Sequence, residues 1–282
     1  MTSHEAAMEL ACDEEMAELP SPPTVYLPLD DAELDLADDW YTTMLHQERQ
    51  RPVFNPAFHY VQTRRVLADW TRDVGEALNM EKWIVHAAIA GEKPPQAKLQ
   101  LYCLCCLYIA AKYFALDADI PSLDEMHVFA HGLYSTDDIK VYEGRLLEAL
   151  HWSLTALHPL HFVRFFVATT PLYNDDQIHH LRIESSDEIW RRYQQHVEFL
   201  AEMCLLEYGF QQYPPSVVAT AILAVGRRIM SIIPVWREEM EALTGYPGDA
   251  IKDCYNHVWS HYVTHSGVKS NGETSPNAVS DL

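Results

Sequence analysis

The sequence predicts an all-helical fold: two tandem five-helix bundles, preceded by one helix and a disordered acidic segment. Glycine is sparse, with 10 residues among 282, and 48% of the residues are apolar, which favours long helices over turn-rich strands. From residue 61 onward, apolar residues recur at the helical period of about 3.6 residues. Two helix-length segments, 99–113 and 216–230, are apolar on almost all sides, as the central helix of a bundle must be. Two such centres indicate an internal duplication.

The first elements follow from charge, proline and periodicity. Residues 1–36 are rich in carboxylates and prolines, and we expect them to be disordered. A short helix is predicted over 39–50. The next helix starts at residue 61 and carries an apolar face as far as Leu78. The apolar segment 83–90 forms a further, short helix, which the following glycine and prolines stop.

Two capping motifs predict the starts of the helices after the central one. In Ser122-x-x-Glu125 and in Ser135-x-x-Asp138, the serine oxygen accepts from a free backbone amide and the carboxylate reaches back to the serine. The second of these helices ends near Trp152. The first bundle therefore contains five helices.

The second half repeats this pattern with weaker signals, and its polar tail is predicted to be disordered. The predicted helices are 159–166, one starting at Ser185-x-x-Glu188, the apolar helix after Pro214-Pro215, 236–243 with Gly245 as its carboxy-terminal cap, and 249–264. The predicted division of the chain is 1–36, 37–155, 156–265 and 266–282.

The net charge and the apolar pattern of the chain exclude some classes of function. The net charge is -21, and residues 1–50 alone hold 13 carboxylates and one arginine. So acidic a protein repels phosphate backbones, so we expect no nucleic-acid partner. No apolar run reaches the roughly 18 residues of a membrane span, and the chain does not begin like a signal peptide. We expect a protein that binds no membrane, is not secreted, and lies in the nucleus, the cytoplasm or both.

Three motifs resemble the cyclin family in their order and spacing. They are RRVLADWTRDVGEAL at 64–78, KLQLYCLCCLYIAAKYF at 98–114 and VYEGRLLEALHWSL at 141–154. A weaker match in the second half includes YPPSVVATAILAV at 213–225, and the Trp-rich second half looks most like the J-type cyclins. The resemblance implies two five-helix cyclin boxes. It also implies a non-enzymatic regulatory subunit that needs no cofactor, and that binds and activates a cyclin-dependent protein kinase in cell-cycle control.

The resemblance places the kinase contact at Lys112 and Glu143. An ammonium donates hydrogen bonds to carbonyls at a helix end, and a carboxylate accepts them from backbone amides. Outside the family context, such a lysine is usually a solvated helix cap and such a glutamate an exposed surface residue. The apolar family positions around the contact are Leu147, Trp152 and Leu154.

The resemblance also implies a shallow groove that docks substrate or inhibitor peptides. Apolar pockets would take a leucine of the peptide, and a carboxylate would pair with its arginine. The alternative is that the apolar residues of the predicted groove belong to the hydrophobic core. The short helix 83–90 flanks the groove and weakens the prediction, and it motivates a second hypothesis: a cyclin-fold scaffold that activates no kinase. The groove residues are Val66, Leu67, Trp70, Asp73, Leu99 and Gln100.

No constellation of residues supports catalysis or a metal site. His257, His261 and His265 have a spacing that suits a metal, but no cysteine or carboxylate completes a ligand set, so we expect a surface helix face. The sequence contains no glycine-rich phosphate loop and no nucleophile elbow. A third class, a nucleic-acid-bound transcription factor with similar boxes, is disfavoured by the charge.

Overall fold

Eleven α-helices, two short 3₁₀ helices (Asp117–Asp119 and Tyr208–Gln212) and one pair of two-residue strands form the described part of a computed structural model of the chain. This confirms the all-helical prediction. Among these residues, no helix has both the length and the apolar character to cross a bilayer. The described residues are 31–49, 54, 61–90, 98–154, 157–169, 172–173, 175–178 and 186–266.

The first bundle is built around α4, which is nearly all apolar. Leu104, Cys105 and Leu107 of α4 are fully buried, and the helix packs against α2, α3 and α6. The predicted central helix is therefore correct. The elements are α1 (Asp31–Glu48), which precedes the bundle, and then α2 (Val61–Ala77), α3 (Lys82–Ala90), α4 (Leu99–Phe114), α5 (Leu123–Phe129) and α6 (Thr136–Ala149).

Both predicted capping boxes are present. Ser122 Oγ accepts from the backbone N–H of Glu125 at 3.2 Å, and the Glu125 carboxylate accepts from the Ser122 N–H at 2.7 Å. Ser135 and Asp138 make the same pair of bonds at 3.1 and 3.0 Å. These hydrogen bonds hold the pKa of the Glu125 and Asp138 carboxyls below the usual range. Local sequence therefore determines where α5 and α6 begin.

The second bundle is built around α9, in which every residue from Ser216 to Arg227 is buried. This helix packs against α7, α8 and α11. Gly245 caps α10 with a left-handed φ of 72°, as predicted. The predicted start at Ser185 lies outside the described residues. The elements are α7 (Pro159–Thr169), α8 (Ser186–Leu206), α9 (Pro215–Ile229), α10 (Glu238–Thr244) and α11 (Gly248–Ser266).

The start of α10 differs from the sequence prediction. Trp236, predicted as its first residue, precedes the helix and is buried, and its Nε1–H donates to Glu241 Oε1 at 3.1 Å. That contact holds the indole against the helix without making it part of the helix. Trp236 therefore packs against α10 from outside the helix. Its apolar side chain fits the periodic pattern of the helix, which is why the sequence predicted it as the first helical residue.

A short strand pair that the sequence did not reveal joins two parts of the second bundle. Strand β1 (Gln177–Ile178) pairs antiparallel with β2 (Ile232–Ile233). Beside it, the fully buried Arg227 forms an ion pair with Asp176 and donates to the carbonyl of Pro234 through Nε at 3.0 Å and Nη2 at 2.8 Å. The strand pair and the ion pair both connect the segment before α8 to the segment at the end of α9.

Helix α1 packs on the second bundle. Met44 is 1% exposed within that core, and the Tyr41 ring stacks on Phe165 with centroids 5.1 Å apart. The Tyr41 hydroxyl donates to the carbonyl of Thr244 at 2.7 Å. The helix starts at Asp31, so residues 31–36, which the sequence assigned to the disordered segment, are helical. Carboxylates in a first turn favour a helix because its amino terminus carries partial positive charge.

Candidate functional site

The structure brings Lys112 of α4 and Glu143 of α6 into contact. Lys112 Nζ lies 2.5 Å from Glu143 Oε1, and it also lies 4.7 Å from the centroid of the Tyr108 ring. Glu143 Oε1 has no hydrogen-bond partner among the described residues, so the contact is an ion pair. The Lys112 side chain is 41% exposed, whereas that of Glu143 is 9% exposed. The pair therefore presents its cationic member to the surface.

Glu143 occupies a core position of α6. The buried residues of this helix are Ile139, Glu143 and Leu146, which recur at helical spacing and face α4. The alternative that Glu143 is an exposed surface residue is therefore wrong. A buried carboxylate is costly unless a charge or hydrogen bonds compensate it. Lys112 supplies the charge, while Oε1 accepts no hydrogen bond from any described residue.

The apolar residues predicted for this site lie on α6 and in the segment that follows it. Leu147 and Leu154 are half-buried and pack against the first-bundle core. Trp152 is 69% exposed, and Tyr113, directly after Lys112, is 53% exposed. Tyr113 was not identified as a site residue from the sequence. Its position directly after the lysine, at the end of an apolar helix, is the signal that could have identified it. We call Lys112, Tyr113, Glu143 and Trp152 the contact face.

The backbone after α6 determines where Trp152 lies. His151 and Trp152 have positive φ values of 50° and 59°. The Trp152 N–H donates to the carbonyl of Leu147 at 3.0 Å, and the His151 N–H donates to that of Glu148 at 3.0 Å. This is a Schellman ending, which usually has glycine where His151 stands. It holds Trp152 against the end of α6 with its ring in solvent.

The structure gathers the residues of the predicted peptide groove on α2 and α4, but only some are accessible. Val66 is 70% exposed, and Asp73 is exposed, with Oδ1 at 3.4 Å from Arg72 Nη2. Trp70 is half-buried and packs against the first-bundle core, so the core alternative holds for it in part. The other predicted members, Leu67, Leu99 and Gln100, are half-buried.

Arg64 and Arg65 of α2 form no ion pair with a carboxylate among the described residues, whereas Arg72 of the same helix pairs with Asp69. Arg64 is 3% exposed and donates from Nη2 to the carbonyl of Ile89 at 3.4 Å. Arg65 is exposed, with Nη1 at 3.3 Å from His265 Nε2. Glu92, the carboxylate that follows α3 in the sequence, lies outside the described residues.

The histidines and cysteines of the described residues form no metal site. His257 stacks on Phe210 with ring centroids 4.2 Å apart, and the described part of the chain holds no group of three metal-ligating side chains. Burial raises the pKa of the Cys103 thiol to about 11 and that of Cys105 to about 12. Both remain thiols at neutral pH.

Two family models match consecutive parts of the chain. Residues 39–155 match the model described as "Cyclin, N-terminal domain", and residues 157–279 match "Cyclin, C-terminal domain". Together they cover most of the chain. The boundary between them lies between the two helical bundles.

Curated relatives with similar sequences carry cyclin names. A "Cyclin-D" of Ostreococcus tauri is 28% identical over 199 residues, 66% of this chain and 52% of that protein. A "G2/mitotic-specific cyclin S13-6" of Glycine max is 27% identical over 209 residues, 71% of this chain and 42% of that protein. The chain thus spans about half the length of these relatives.

Solved structures share the fold at low sequence identity. A viral cyclin from herpesvirus saimiri aligns with a TM-score of 0.61 and 13% identity, covering 80% of this chain and 97% of that one. A chain of the yeast RNA polymerase II CTD kinase complex CTDK-1 aligns with a TM-score of 0.53 and 12% identity, covering 85% of this chain and 74% of that one. At such identities the likeness concerns the fold alone.

Proposed function

This chain belongs to the cyclin family, and we propose that it binds and activates a cyclin-dependent serine/threonine protein kinase in cell-cycle control. The observation that supports this most is the contact face. It combines a half-exposed cation, paired with a buried carboxylate, with two exposed aromatic rings. Aromatic side chains around a charged contact are typical of the residues that dominate binding energy at interfaces. The Trp-rich second half favours the J-type subfamily within the cyclins.

The proposed mechanism is differential binding. Lys112 donates to carbonyls at the end of a mobile kinase helix, and Glu143 Oε1 accepts from its backbone amides. Trp152 and Tyr113 cover the apolar side of that helix. Because the chain binds the active position of the helix more tightly, it shifts the kinase population toward it. A kinase glutamate then pairs with the lysine that holds the ATP phosphates. The chain itself performs no chemistry.

A second candidate function is a scaffold that keeps the fold and binds partners without activating a kinase. The nine-residue helix α3 and the buried Arg64, which meets no described carboxylate, favour it. Under either function, the groove around Val66 and Trp70 is the proposed docking surface for substrate or inhibitor peptides. Nuclear entry would then depend on the bound partner.

The test is to purify the chain with each member of a panel of cyclin-dependent kinases and to measure co-purification and phosphate transfer. We expect at least one kinase to be bound and activated. The double variant Lys112→Ala/Glu143→Ala should lose both properties, while Lys252→Ala/Asp253→Ala, at two neighbouring charged residues of α11, should keep them. Full activation by the first variant would refute the contact face. Binding without phosphate transfer in the unmodified chain would favour the scaffold.

A further inference from the structure

A cleft between the two bundles is lined by residues that do not belong to the contact face. It is bounded by α2 and α3 of the first bundle and by α8 and α11 of the second, and its volume is about 230 Å³. Phe199 at its edge is 50% exposed. The apolar lining includes Met80, Val85, Ile89, Phe199, Met203 and Leu206.

The cleft is distinct from the predicted peptide groove. Arg65, Arg72 and Glu76 line it from α2, and their spacing of seven and four residues puts them on one face of that helix. Val66 and Trp70 of the groove point about 100° or more away from that face, since successive helical residues turn by about 100°. The same helix therefore serves two separate surfaces.

The size of the cleft favours side chains over a free small molecule. Pockets for small-molecule ligands usually span about 300–1,000 Å³, which is more than the 230 Å³ here. A cleft of this size admits apolar side chains of a partner. Its two methionines are flexible and polarisable, so the lining adapts to different apolar shapes.

The charges around the cleft favour a basic partner. Arg72 is paired with Asp69 at 3.1 Å, and Arg65 lies against His265. The carboxylate of Glu76 is exposed and forms no ion pair with any described residue. Three carboxylates line the cleft against two arginines, so an approaching cationic segment is favoured over an acidic one.

We propose that this cleft docks a segment of a partner protein in which a bulky apolar side chain enters between the bundles and a neighbouring arginine or lysine pairs with Glu76. The proposal does not require the partner to be a kinase. It gives the chain a second recognition surface, on which both bundles must be correctly packed for binding.

The test is an array of nine-residue peptides probed with the full chain. Each peptide carries leucine, phenylalanine or methionine at its centre and one arginine or lysine one to four positions away. Two matched arrays carry glutamate in place of the basic residue, or alanine in place of the apolar one. We expect the first array to bind about tenfold more tightly than either control, the ratio that corresponds to about 1.4 kcal/mol. Equal binding to all three arrays would overturn the proposal.

Variants then locate the binding site. Phe199→Ala and Glu76→Lys should each weaken binding of the selected peptides by about tenfold. The matched controls, Leu133→Ala at an exposed apolar residue and Asp253→Lys at an exposed carboxylate, should not. Loss of binding in Val66→Ala with retention in Phe199→Ala would assign the peptides to the groove and refute the cleft. Kinase activation by the cleft variants should be unchanged, so this proposal and the proposed kinase function fail separately.

Discussion

The carboxylate of Glu48, at the end of α1, caps the amino terminus of α9 at Ser216, 168 positions away in the sequence. Glu48 Oε2 accepts from the Ser216 N–H at 3.0 Å, and Oε1 accepts from the Ser216 hydroxyl at 2.6 Å. The residue before α9 is Pro214, whose side chain provides no cap. The amide of Ser216 would otherwise be a buried donor without a partner, and the anion also suits the positive end of the helix.

We predict that Glu48→Ala lowers the free energy of unfolding by about 2–3 kcal/mol, because a buried hydrogen bond to a charged group is lost and a buried amide is left unpaired. Urea denaturation followed by circular dichroism measures the change. Asp39→Ala, which removes an exposed carboxylate from the same helix, is the control and should have little effect. Equal losses in the two variants would show that the cap contributes nothing specific.

The buried ion pair between Arg227 and Asp176 gives a second prediction. The Arg227 side chain is fully buried, and that of Asp176 is 3% exposed. Removing one partner leaves an uncompensated buried charge, so Asp176→Ala should lower the free energy of unfolding by about 3–5 kcal/mol. Asp175→Ala removes the neighbouring carboxylate, which is 73% exposed, and should cost far less. Denaturant titration of both variants compares them.

The double variant Arg227→Met/Asp176→Leu tests the same argument in reverse. Replacing both charges with apolar side chains removes the uncompensated buried charge that Asp176→Ala leaves on Arg227, so we expect it to be more stable than Asp176→Ala alone. If the double variant is the less stable of the two, the hydrogen bonds from Arg227 to Pro234 outweigh the ion pair.

Local signals in the sequence predicted the helices well. The capping boxes at Ser122 and Ser135, the glycine cap at Gly245 and the all-apolar α4 were all predicted correctly. Each of these features depends on residues a few positions apart, which a single sequence displays directly. At the end of α6 the local signal was absent, because His151 takes the left-handed conformation usually given to glycine.

Contacts between distant segments could not be predicted in this way. Nothing near Glu48 indicates Ser216, and the cleft exists only where the two bundles meet. At the candidate site, the resemblance supplied Lys112 and Glu143, but periodicity alone could not show that Glu143 is buried and paired. A carboxylate in a buried stripe is explained only when its partner on another helix is known.

Trp152 gives a prediction that separates binding from stability. Because its side chain is 69% exposed, Trp152→Ala should change the free energy of unfolding by no more than about 0.5 kcal/mol. If the contact face binds a kinase, the same variant should weaken binding at least about tenfold, as the loss of a central interfacial tryptophan does. Surface plasmon resonance with the kinase that co-purifies measures this. Val128→Ala, at another exposed apolar residue, is the control, and equal affinity of the two variants would exclude Trp152 from the interface.

A cluster of histidines where the bundles join predicts acid sensitivity. The His158 ring is 2% exposed, and neither of its nitrogens has a hydrogen-bond partner among the described residues. Burial, together with the nearby His161, His86 and Arg164, holds the pKa of His158 well below its usual value. Burial and Arg164 lower the pKa of His161 to about 4. The folded protein therefore keeps both rings neutral where the unfolded chain takes up protons.

The direction in which stability changes with pH follows from this difference in proton binding. Below pH about 6.5 the unfolded histidines bind protons that the folded ones do not, so stability falls as the pH drops toward about 4. The slope is at most about 1.4 kcal/mol per pH unit for each histidine. His158→Phe should flatten the profile in this window, whereas His46→Phe, at an exposed histidine, should not. Unfolding midpoints measured from pH 7 to pH 4 test this, and parallel profiles for His158→Phe and the unmodified chain would contradict it.

Two glycines in helices predict opposite effects of the same substitution. A Cβ at Gly226 of α9 would lie 2.7 Å from Val197 Cγ1 and 3.2 Å from Tyr193 Cε2, both on α8, whereas a Cβ at Gly144 of α6 would have nothing within 4 Å. Gly226→Ala should therefore cost about 1–3 kcal/mol, because two packed helices must move apart. Gly144→Ala should instead stabilise the protein by about 0.5–1 kcal/mol, because alanine restricts the unfolded chain and favours the helix.

Thermal unfolding of the two variants beside the unmodified chain measures both signs in one experiment. If Gly226→Ala is stabilising, α8 and α9 pack less closely than their side chains indicate, and the central position of α9 in the second bundle loses its support. If Gly144→Ala is destabilising, the exposed surface of α6 beside Glu143 is not open in the free protein. Measuring kinase binding on Gly144→Ala then adds a second result. A more stable variant that binds more weakly would show that the partner approaches the backbone of α6 at this glycine, since only a close approach makes an added methyl group unfavourable.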